Sequence, residues 1–142
     1  MPTFISNSEA ETRQIAADFA RSANSKIPVF VCLYGNLGSG KTVFTKGIAE
    51  GLGIPAAQIK SPTYTFVRQY RHGKIHFYHF DFYRIEDTDD LMAQDLLEIF
   101  SQKNAFIVIE WPEKVAGLIP SNHRAVRFSY KSDNQRTIIF DS

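Results

Sequence analysis

One glycine-rich stretch of the sequence has the residue types and the spacing of a phosphate-binding loop. Gly35 to Thr42 reads GNLGSGKT and matches the pattern G-x-x-x-x-G-K-[ST]. Glycines let backbone N–H groups approach an anionic oxygen closely, and the start of a helix offers unpaired N–H groups to the same anion. Lys41 would contact the β- and γ-phosphates of a nucleotide, and the Thr42 hydroxyl would bind Mg²⁺. The stretch therefore predicts a nucleotide site.

A phosphate-binding loop also needs an acidic side chain from a neighbouring strand, which binds Mg²⁺ or its water. Two acids stand at the ends of strand-like segments: Glu110 follows the apolar run AFIVI, and Asp81 lies among aromatic residues in YHFDFY. Each has a simpler interpretation. Glu110 could be an ordinary surface carboxylate, and Asp81 a buried acid paired with a base such as Arg84. His79 shares a strand face with Asp81 and could orient it, although a hydrogen-bonded core histidine is the commoner case.

A third segment with hydroxyl side chains follows the loop and its helix. It reads Ser61-Pro62-Thr63-Tyr64-Thr65. Hydroxyls on a proline-stiffened loop at this place could contact the γ-phosphate or Mg²⁺, as switch loops do. The same composition is also that of an ordinary turn, and the residues alone leave both interpretations open.

The elements that must position these groups alternate between strands and helices. The runs rich in β-forming residues are 29–34, 65–71, 74–83, 105–109, 124–130 and 136–140. Helical spacing marks 8–23, a stretch from Val43 that Gly51 and Gly53 stop, and a stretch ending at about Phe100. Ser8 and Glu11 form a capping box for the first helix, and Asp87 or Thr88 would cap the third. The order predicts an α/β fold of the P-loop NTPase type: a mixed sheet flanked by helices, with a C-terminal β-hairpin.

The composition is that of one folded domain over residues 1–142. Hydrophobic residues make up 44% and charged residues 22%, which excludes a disordered chain. A net charge of +1 lacks the basic excess of a nucleic-acid binder, and a single cysteine excludes a disulfide framework or a multi-cysteine zinc site. No apolar run approaches the roughly 18 residues of a membrane span. We therefore expect a soluble, cytoplasmic protein with no membrane partner.

Four motifs follow one another along the chain. They are GNLGSGKT at 35–42, SPTYTFV at 61–67, HFDFYRI at 79–85 and VIEWPE at 108–113. In this order they resemble TsaE, the bacterial ATPase family that assists formation of threonylcarbamoyladenosine in tRNA, and the resemblance covers nearly the whole chain. Asn36 and Ser39 stand where that family usually has Asp and Ala, and Phe82 where it often has Leu. None of the three changes a residue on which the loop chemistry depends.

The resemblance implies a small P-loop protein that binds ATP with Mg²⁺ and hydrolyses it slowly when alone. Its partners would be the threonylcarbamoyl-transferase subunit and that subunit's inactive paralogue, with tRNA served only indirectly. ATP turnover would reset the transferase complex between catalytic cycles. The implied nucleotide-binding residues are Thr12, Gly35, Asn36, Leu37, Gly38, Ser39, Gly40, Lys41, Thr42, Val43 and Arg136.

The same resemblance implies a catalytic set and a metal set that overlap. Lys41, Asp81 and Glu110 would be catalytic. Thr42 and Glu110 would serve Mg²⁺, and Asp81 would serve the metal or the attacking water. The implied switch-like loop comprises Ser61, Thr63 and Thr65.

Two other classes of function are compatible with a phosphate-binding loop. A small-molecule P-loop kinase is the main alternative, but a kinase needs an acceptor site and a lid that carries arginines. After Glu110 the sequence has Arg124, Arg127 and Arg136 and no separate helical lid segment. A nucleotide-gated binding module without turnover would need neither Asp81 nor Glu110, so the presence of both favours an ATPase.

Overall fold

The computed structural model describes residues 2–36, 38–55, 66–86 and 88–141. The described strands are β1 (Thr3–Ser6), β2 (Val29–Tyr34), β3 (Val67–His72), β4 (Ile75–Asp81), β5 (Ala105–Glu110), β6 (Arg124–Ser132) and β7 (Gln135–Asp141). The described α-helices are α1 (Glu9–Ala23), α2 (Lys41–Gly51) and α3 (Asp90–Phe100), and short 3₁₀ turns lie at Asn24–Lys26 and Pro112–Leu118. None of the described helices is long and apolar enough to cross a membrane.

The seven described strands form one mixed sheet in the order β1-β7-β6-β2-β5-β4-β3. Its centre is parallel, because β2 pairs with β5 and β6, and β5 also pairs with β4. Both edges are antiparallel: β3 pairs with β4, and β7 pairs with β6 and β1. The predicted α/β class, the flanking helices and the C-terminal hairpin β6–β7 are confirmed. Because parallel strands end at the same edge, the glycine loop after β2 lies beside the ends of β4 and β5.

Apolar side chains cover both faces of the sheet, which is why its central strands read as unbroken apolar runs. The face toward α1 and α2 is packed by a cluster that includes Ala16, Val31, Leu33, Phe44, Ile48, Phe77 and Val108. The face toward α3 is packed by a second cluster that includes Cys32, Tyr78, Phe80, Leu96, Ile107 and Val115. Aromatic residues of β4 belong to both clusters, Phe77 to the first and Tyr78 and Phe80 to the second, so β4 is covered on both sides.

Helices α1 and α2 pack closely where α2 carries glycine. A Cβ atom placed on Gly47 would lie 2.5 Å from the Arg13 carbonyl oxygen and 2.7 Å from the Ala16 Cβ. A Cβ on Gly51 would lie 2.5 Å from the Ala17 carbonyl oxygen. Gly51 is also the last residue of α2, in agreement with the prediction that it stops the helix. It therefore has two roles, because it also belongs to the contact between the two helices.

The helix caps agree with the sequence in one case and correct it in another. The Ser8 side chain accepts a hydrogen bond from the Glu11 N–H (3.1 Å), and the Glu11 carboxylate accepts one from the Asn7 N–H (2.6 Å). The capping box is confirmed, except that Glu11 accepts from the N–H of Asn7, one residue before the cap residue Ser8. For α3 the cap is Asp89, which accepts from the Met92 N–H at 2.7 Å. The prediction of Asp87 or Thr88 is therefore wrong, and Asp87 lies outside the described residues.

The single cysteine is expected to be chemically inert in the folded protein. Cys32 lies in the middle of β2 with 0% of its surface exposed, and burial raises the pKa of its thiol to about 12. Because the thiolate is the reactive form, iodoacetamide should label Cys32 slowly in native buffer and rapidly in guanidinium chloride. Mass spectrometry of the alkylated peptide measures both rates. Equal labelling in the two conditions would show that β2 opens to solvent.

Candidate functional site

Glycines give the predicted phosphate-binding loop a backbone conformation that other residues rarely adopt. Gly38 has φ 76° and Gly40 has φ 108°, both in the left-handed region. Lys41, the first residue of α2, follows directly, so the unpaired N–H groups of the first helical turn adjoin the loop. Four predicted site residues lie outside the described part of the chain, namely Leu37, Ser61, Thr63 and Thr65. The switch-like loop therefore stays a prediction.

Lys41 is held at the mouth of the loop by groups that carry no negative charge. Its ammonium donates a hydrogen bond to the Gly35 carbonyl oxygen at 2.7 Å and lies 4.1 Å from the centre of the Trp111 ring. Burial lowers the pKa of Lys41, and the nearby carboxylates of Glu110 and Asp81 act in the opposite direction. The ammonium charge is therefore available to an anion that enters the site.

Asp81 and Glu110 are direct register partners on β4 and β5. The Asp81 carboxylate accepts a hydrogen bond from the Tyr83 N–H at 3.0 Å, and Glu110 contacts His79. Burial raises the pKa of Asp81, and the charge of Glu110 adds to the rise, whereas the bond from Tyr83 and the charge of Lys41 oppose it. A bound cation would relieve the repulsion between the two acids.

The simpler interpretations of the two acids do not hold. Glu110 is 3% exposed, so it is not a surface carboxylate. Arg84 is exposed and makes no hydrogen bond or ion pair with Asp81, both residues being in the described part of the chain. His79 is a buried, hydrogen-bonded histidine, but its partner is Glu110 on the next strand, which the sequence patterns did not predict.

The loop and the acids line a cleft of about 590 Å³, a volume in the usual range for small-ligand sites. Of the predicted site residues, the lining includes Thr12, Gly38, Gly40, Lys41, Thr42, Val43, Asp81, Glu110 and Arg136. Residues that the prediction did not include also line it: Asn7, Ser8, Glu9, Tyr83, Trp111, Asp133 and Asn134. Gly35, Asn36 and Ser39 are not among the lining residues: Ser39 is 1% exposed, whereas Asn36 is exposed to solvent.

The tip of the β6–β7 hairpin forms the wall of the cleft next to the loop. The Tyr130 hydroxyl donates a hydrogen bond to the Gly38 carbonyl oxygen, which fastens the hairpin to the loop. The Arg136 guanidinium lies 4.1 Å from the Tyr130 ring centre and donates to the Asp133 carbonyl oxygen at 3.2 Å. Thr12 lines the same cleft from α1. Thr12 and Arg136, which the resemblance implied to be nucleotide-binding residues, thus border one cavity with Lys41.

The donor set of the cleft fits a magnesium ion that arrives with phosphates. Thr42, Asp81 and Glu110 offer only oxygen atoms, which Mg²⁺ prefers. Within the described ranges, no group of three or more His, Cys, Asp or Glu side chains could hold a metal ion by itself. Mg²⁺ at phosphoryl-transfer sites uses one or two carboxylates and the substrate's own phosphates, so a closed protein cage is not required.

Asp81→Asn is expected to stabilise the fold at neutral pH. The pKa of Asp81 is raised in the folded protein, so its ionisation costs stability once the pH exceeds the ordinary value of 3.8. The amide is neutral, and its oxygen can still accept from the Tyr83 N–H. The free energy of unfolding should exceed that of the wild type at neutral pH, and the gap should close as the pH falls below about 4.

Urea denaturation of the Asp81→Asn variant at both pH values measures this difference. Asp95→Asn on the exposed side of α3 is the matched control and should change the midpoint little at either pH. A destabilised Asp81→Asn variant at neutral pH would show that the Asp81 charge is a net structural support.

The parallel-centred sheet, the glycine loop that leads into α2 and the two acids on adjacent strands define a P-loop α/β protein. The family model described as "Threonylcarbamoyl adenosine biosynthesis protein TsaE" matches residues 6–138. The chain belongs to the TsaE family, which confirms the resemblance drawn from its motifs.

Individual relatives agree over most of their length. The "tRNA threonylcarbamoyladenosine biosynthesis protein TsaE" of Haemophilus influenzae is 34% identical over 117 residues, which are 82% of this chain and 73% of that protein. The protein of the same name from Bacillus subtilis is 36% identical over 133 residues, 92% of this chain and 78% of the relative. The crystal structure of Bacillus subtilis YdiB superposes with a TM-score of 0.75 at 30% identity, covering 98% of this chain and 83% of that one.

Proposed function

We propose that this protein is a magnesium-dependent ATPase that acts on the threonylcarbamoyl-transferase complex during formation of threonylcarbamoyladenosine in tRNA. One observation carries the proposal: Lys41, Thr42, Asp81 and Glu110 converge on one cleft at the end of the glycine loop. The names of the relatives support the pathway. The threonylcarbamoyl-transferase subunit and its inactive paralogue are the proposed partners, tRNA is served indirectly, and the proposed location is the cytoplasm.

Each group has a part in the proposed hydrolysis. The N–H groups at the start of α2 and the ammonium of Lys41 bind the phosphates and offset their charge. Thr42 and Glu110 would hold Mg²⁺, which when bound neutralises charge on the transferred phosphoryl group. Asp81, whose pKa is raised by burial, is suited to accept a hydrogen bond from the attacking water or to support the metal.

The geometry favours hydrolysis over a kinase reaction. After Glu110, the described chain continues as a short 3₁₀ stretch, Pro112–Leu118, and then as the hairpin β6–β7, with no α-helix that could act as a lid. Arg136 is the one arginine among the described residues of the cleft lining, and its side chain donates to carbonyl groups of its own hairpin. A kinase lid needs arginines that are free to close over the phosphates. The kinase is therefore the less favoured alternative.

The test compares hydrolysis by the protein alone and with the transferase pair from the same organism. We expect slow Mg-ATP turnover alone, a clear rise with the pair, and no hydrolysis by Glu110→Gln in either condition. Thermal shifts with ATP and GTP report the base preference. Rates that ignore the pair, together with phosphate transfer to a small metabolite, would favour the kinase. A chain that shows no Mg-dependent nucleotide binding would refute the proposal.

A further inference from the structure

His79 and Glu110 form a side-chain hydrogen bond that is buried from solvent. The His79 Nε2 atom lies 2.5 Å from the Glu110 Oε2 atom, and the two side chains are 0% and 4% exposed. The other ring nitrogen of His79, Nδ1, is buried and has no hydrogen-bond partner among the described residues. Among the described residues, the bond to Glu110 is therefore the only hydrogen bond of the His79 ring.

The direction of the hydrogen bond follows from the acceptor. An ionised carboxylate has no proton to donate, so the His79 Nε2–H donates to Oε2. Among the described residues, the Glu110 carboxylate accepts no other hydrogen bond. The hydrogen bond from His79 on β4 therefore fixes Oε2, and Oε1 remains able to bind a ligand in the cleft that Glu110 lines.

Stability alone does not account for a pair of this kind. Removing a histidine and a carboxylate from water is costly, and well-packed apolar residues of similar volume usually hold a core as firmly. A fixed hydrogen bond does achieve something that apolar packing cannot, because it sets the rotation of the carboxylate. Loss of a residue that orients a metal-binding carboxylate commonly weakens metal binding.

We propose that His79 is a positioning residue that fixes the Glu110 carboxylate so that its free oxygen serves Mg²⁺. The inference rests on the proposed function. His79 and Asp81 lie on the face of β4 that is directed toward α2. One strand therefore supplies both the residue that orients Glu110 and the second acid of the site. The neighbouring His76 faces the other side of the sheet and provides a matched control.

Two substitutions separate the hydrogen bond from the volume of the ring. In His79→Gln the side-chain amide nitrogen can take the place of Nε2, whereas in His79→Asn it reaches only the place of Nδ1. We expect His79→Asn to raise the Mg²⁺ concentration for half-maximal effect by about 10-fold, and His79→Gln to stay within about threefold of wild type. His76→Asn should leave the Mg²⁺ requirement unchanged. Circular dichroism and thermal melting establish that each variant folds.

The main readout does not depend on hydrolysis. Trp111 is the only tryptophan and follows Glu110 directly, so its fluorescence reports Mg²⁺ binding in the presence of ADP. In the wild type, long-range ¹H–¹⁵N NMR should show His79 protonated at Nε2, with that proton signal lost in Glu110→Ala.

The outcomes distinguish the two proposals. A wild type that shows Mg-dependent nucleotide binding, with an unchanged Mg²⁺ requirement in His79→Asn, would overturn the positioning role alone. Equal loss in His79→Asn and His79→Gln would also overturn it, because the ring would then act by its shape. A wild type without Mg-dependent nucleotide binding would overturn the proposed function and this inference together.

Discussion

Lys41→Ala should abolish Mg-ATP turnover, with a loss of about 100-fold or more, while the chain still folds. Lys41 and Arg136 are the basic residues among the described lining of the cleft, and Arg136 is bound to its own hairpin. Without Lys41, the end of the cleft next to the glycine loop keeps two carboxylates and loses the positive charge that offsets them. Binding and turnover of an anionic substrate should therefore fall together.

The fold should tolerate the loss of Lys41. The substitution removes one hydrogen bond to the Gly35 carbonyl oxygen and the contact with the Trp111 ring. It also removes a buried charge, whose burial lowers the pKa of Lys41 and is itself unfavourable. Alanine is a favourable residue in the first turn of a helix. We expect the midpoint of thermal unfolding to stay close to that of the wild type.

Hydrolysis rates and equilibrium dialysis with labelled ATP measure the effect of Lys41→Ala. Lys46→Ala is the matched control, because it removes the same charge from the same helix outside the cleft lining. Turnover by Lys41→Ala at the wild-type rate would show that the catalytic assignment is wrong. A similar loss in both variants would indicate a general electrostatic effect of α2 and not a contact with phosphate.

The sequence predicts the central fold well, because its signals there are local and physical. The unbroken apolar runs of β2 and β5 require a sheet covered on both faces, and the glycine pattern marks the turn from β2 into α2. Alternation along β4 places His79 and Asp81 on one face. Once the strands are parallel, Asp81 and Glu110 must reach the same edge, so the main site groups follow from short-range patterns.

The features that the sequence did not predict depend on pairing between distant segments. β1 is a four-residue edge strand whose first three residues are all exposed, so no alternation of buried and exposed residues marks it in the sequence, and its pairing with β7 could not be predicted. The contact of His79 with Glu110 depends on the register of β4 against β5, which single-strand patterns do not contain. The bond from Tyr130 to Gly38 joins residues 92 positions apart. Thr12 and Arg136 were predicted as site residues only from the family resemblance, because no periodic pattern in the sequence points to them.

Gly47→Ala is expected to be strongly destabilising, by about 2–3 kcal/mol, although alanine favours helix formation. The added Cβ would lie 2.5 Å from the Arg13 carbonyl oxygen, 2.7 Å from the Ala16 Cβ and 2.8 Å from the Arg13 Cα. Two of these three atoms belong to the backbone of α1, so no side-chain rotation relieves the overlap. The helices must move apart, which opens the cluster that contains Ala16 and Ile48.

The displacement of α1 by Gly47→Ala should also reach the cleft, because α1 carries Thr12 in the cleft lining. We therefore expect weaker nucleotide binding in addition to a lower unfolding midpoint. Urea denaturation measures the first effect, and equilibrium dialysis with ATP measures the second. Gly117→Ala is the control, since no described atom beyond its chain neighbours lies within 4 Å of the place that its added Cβ would take, and it should change stability by less than about 0.5 kcal/mol. Equal stability of the two variants would mean that α1 and α2 can separate at little cost, and that the close glycine contact does not fix α1 against the glycine loop.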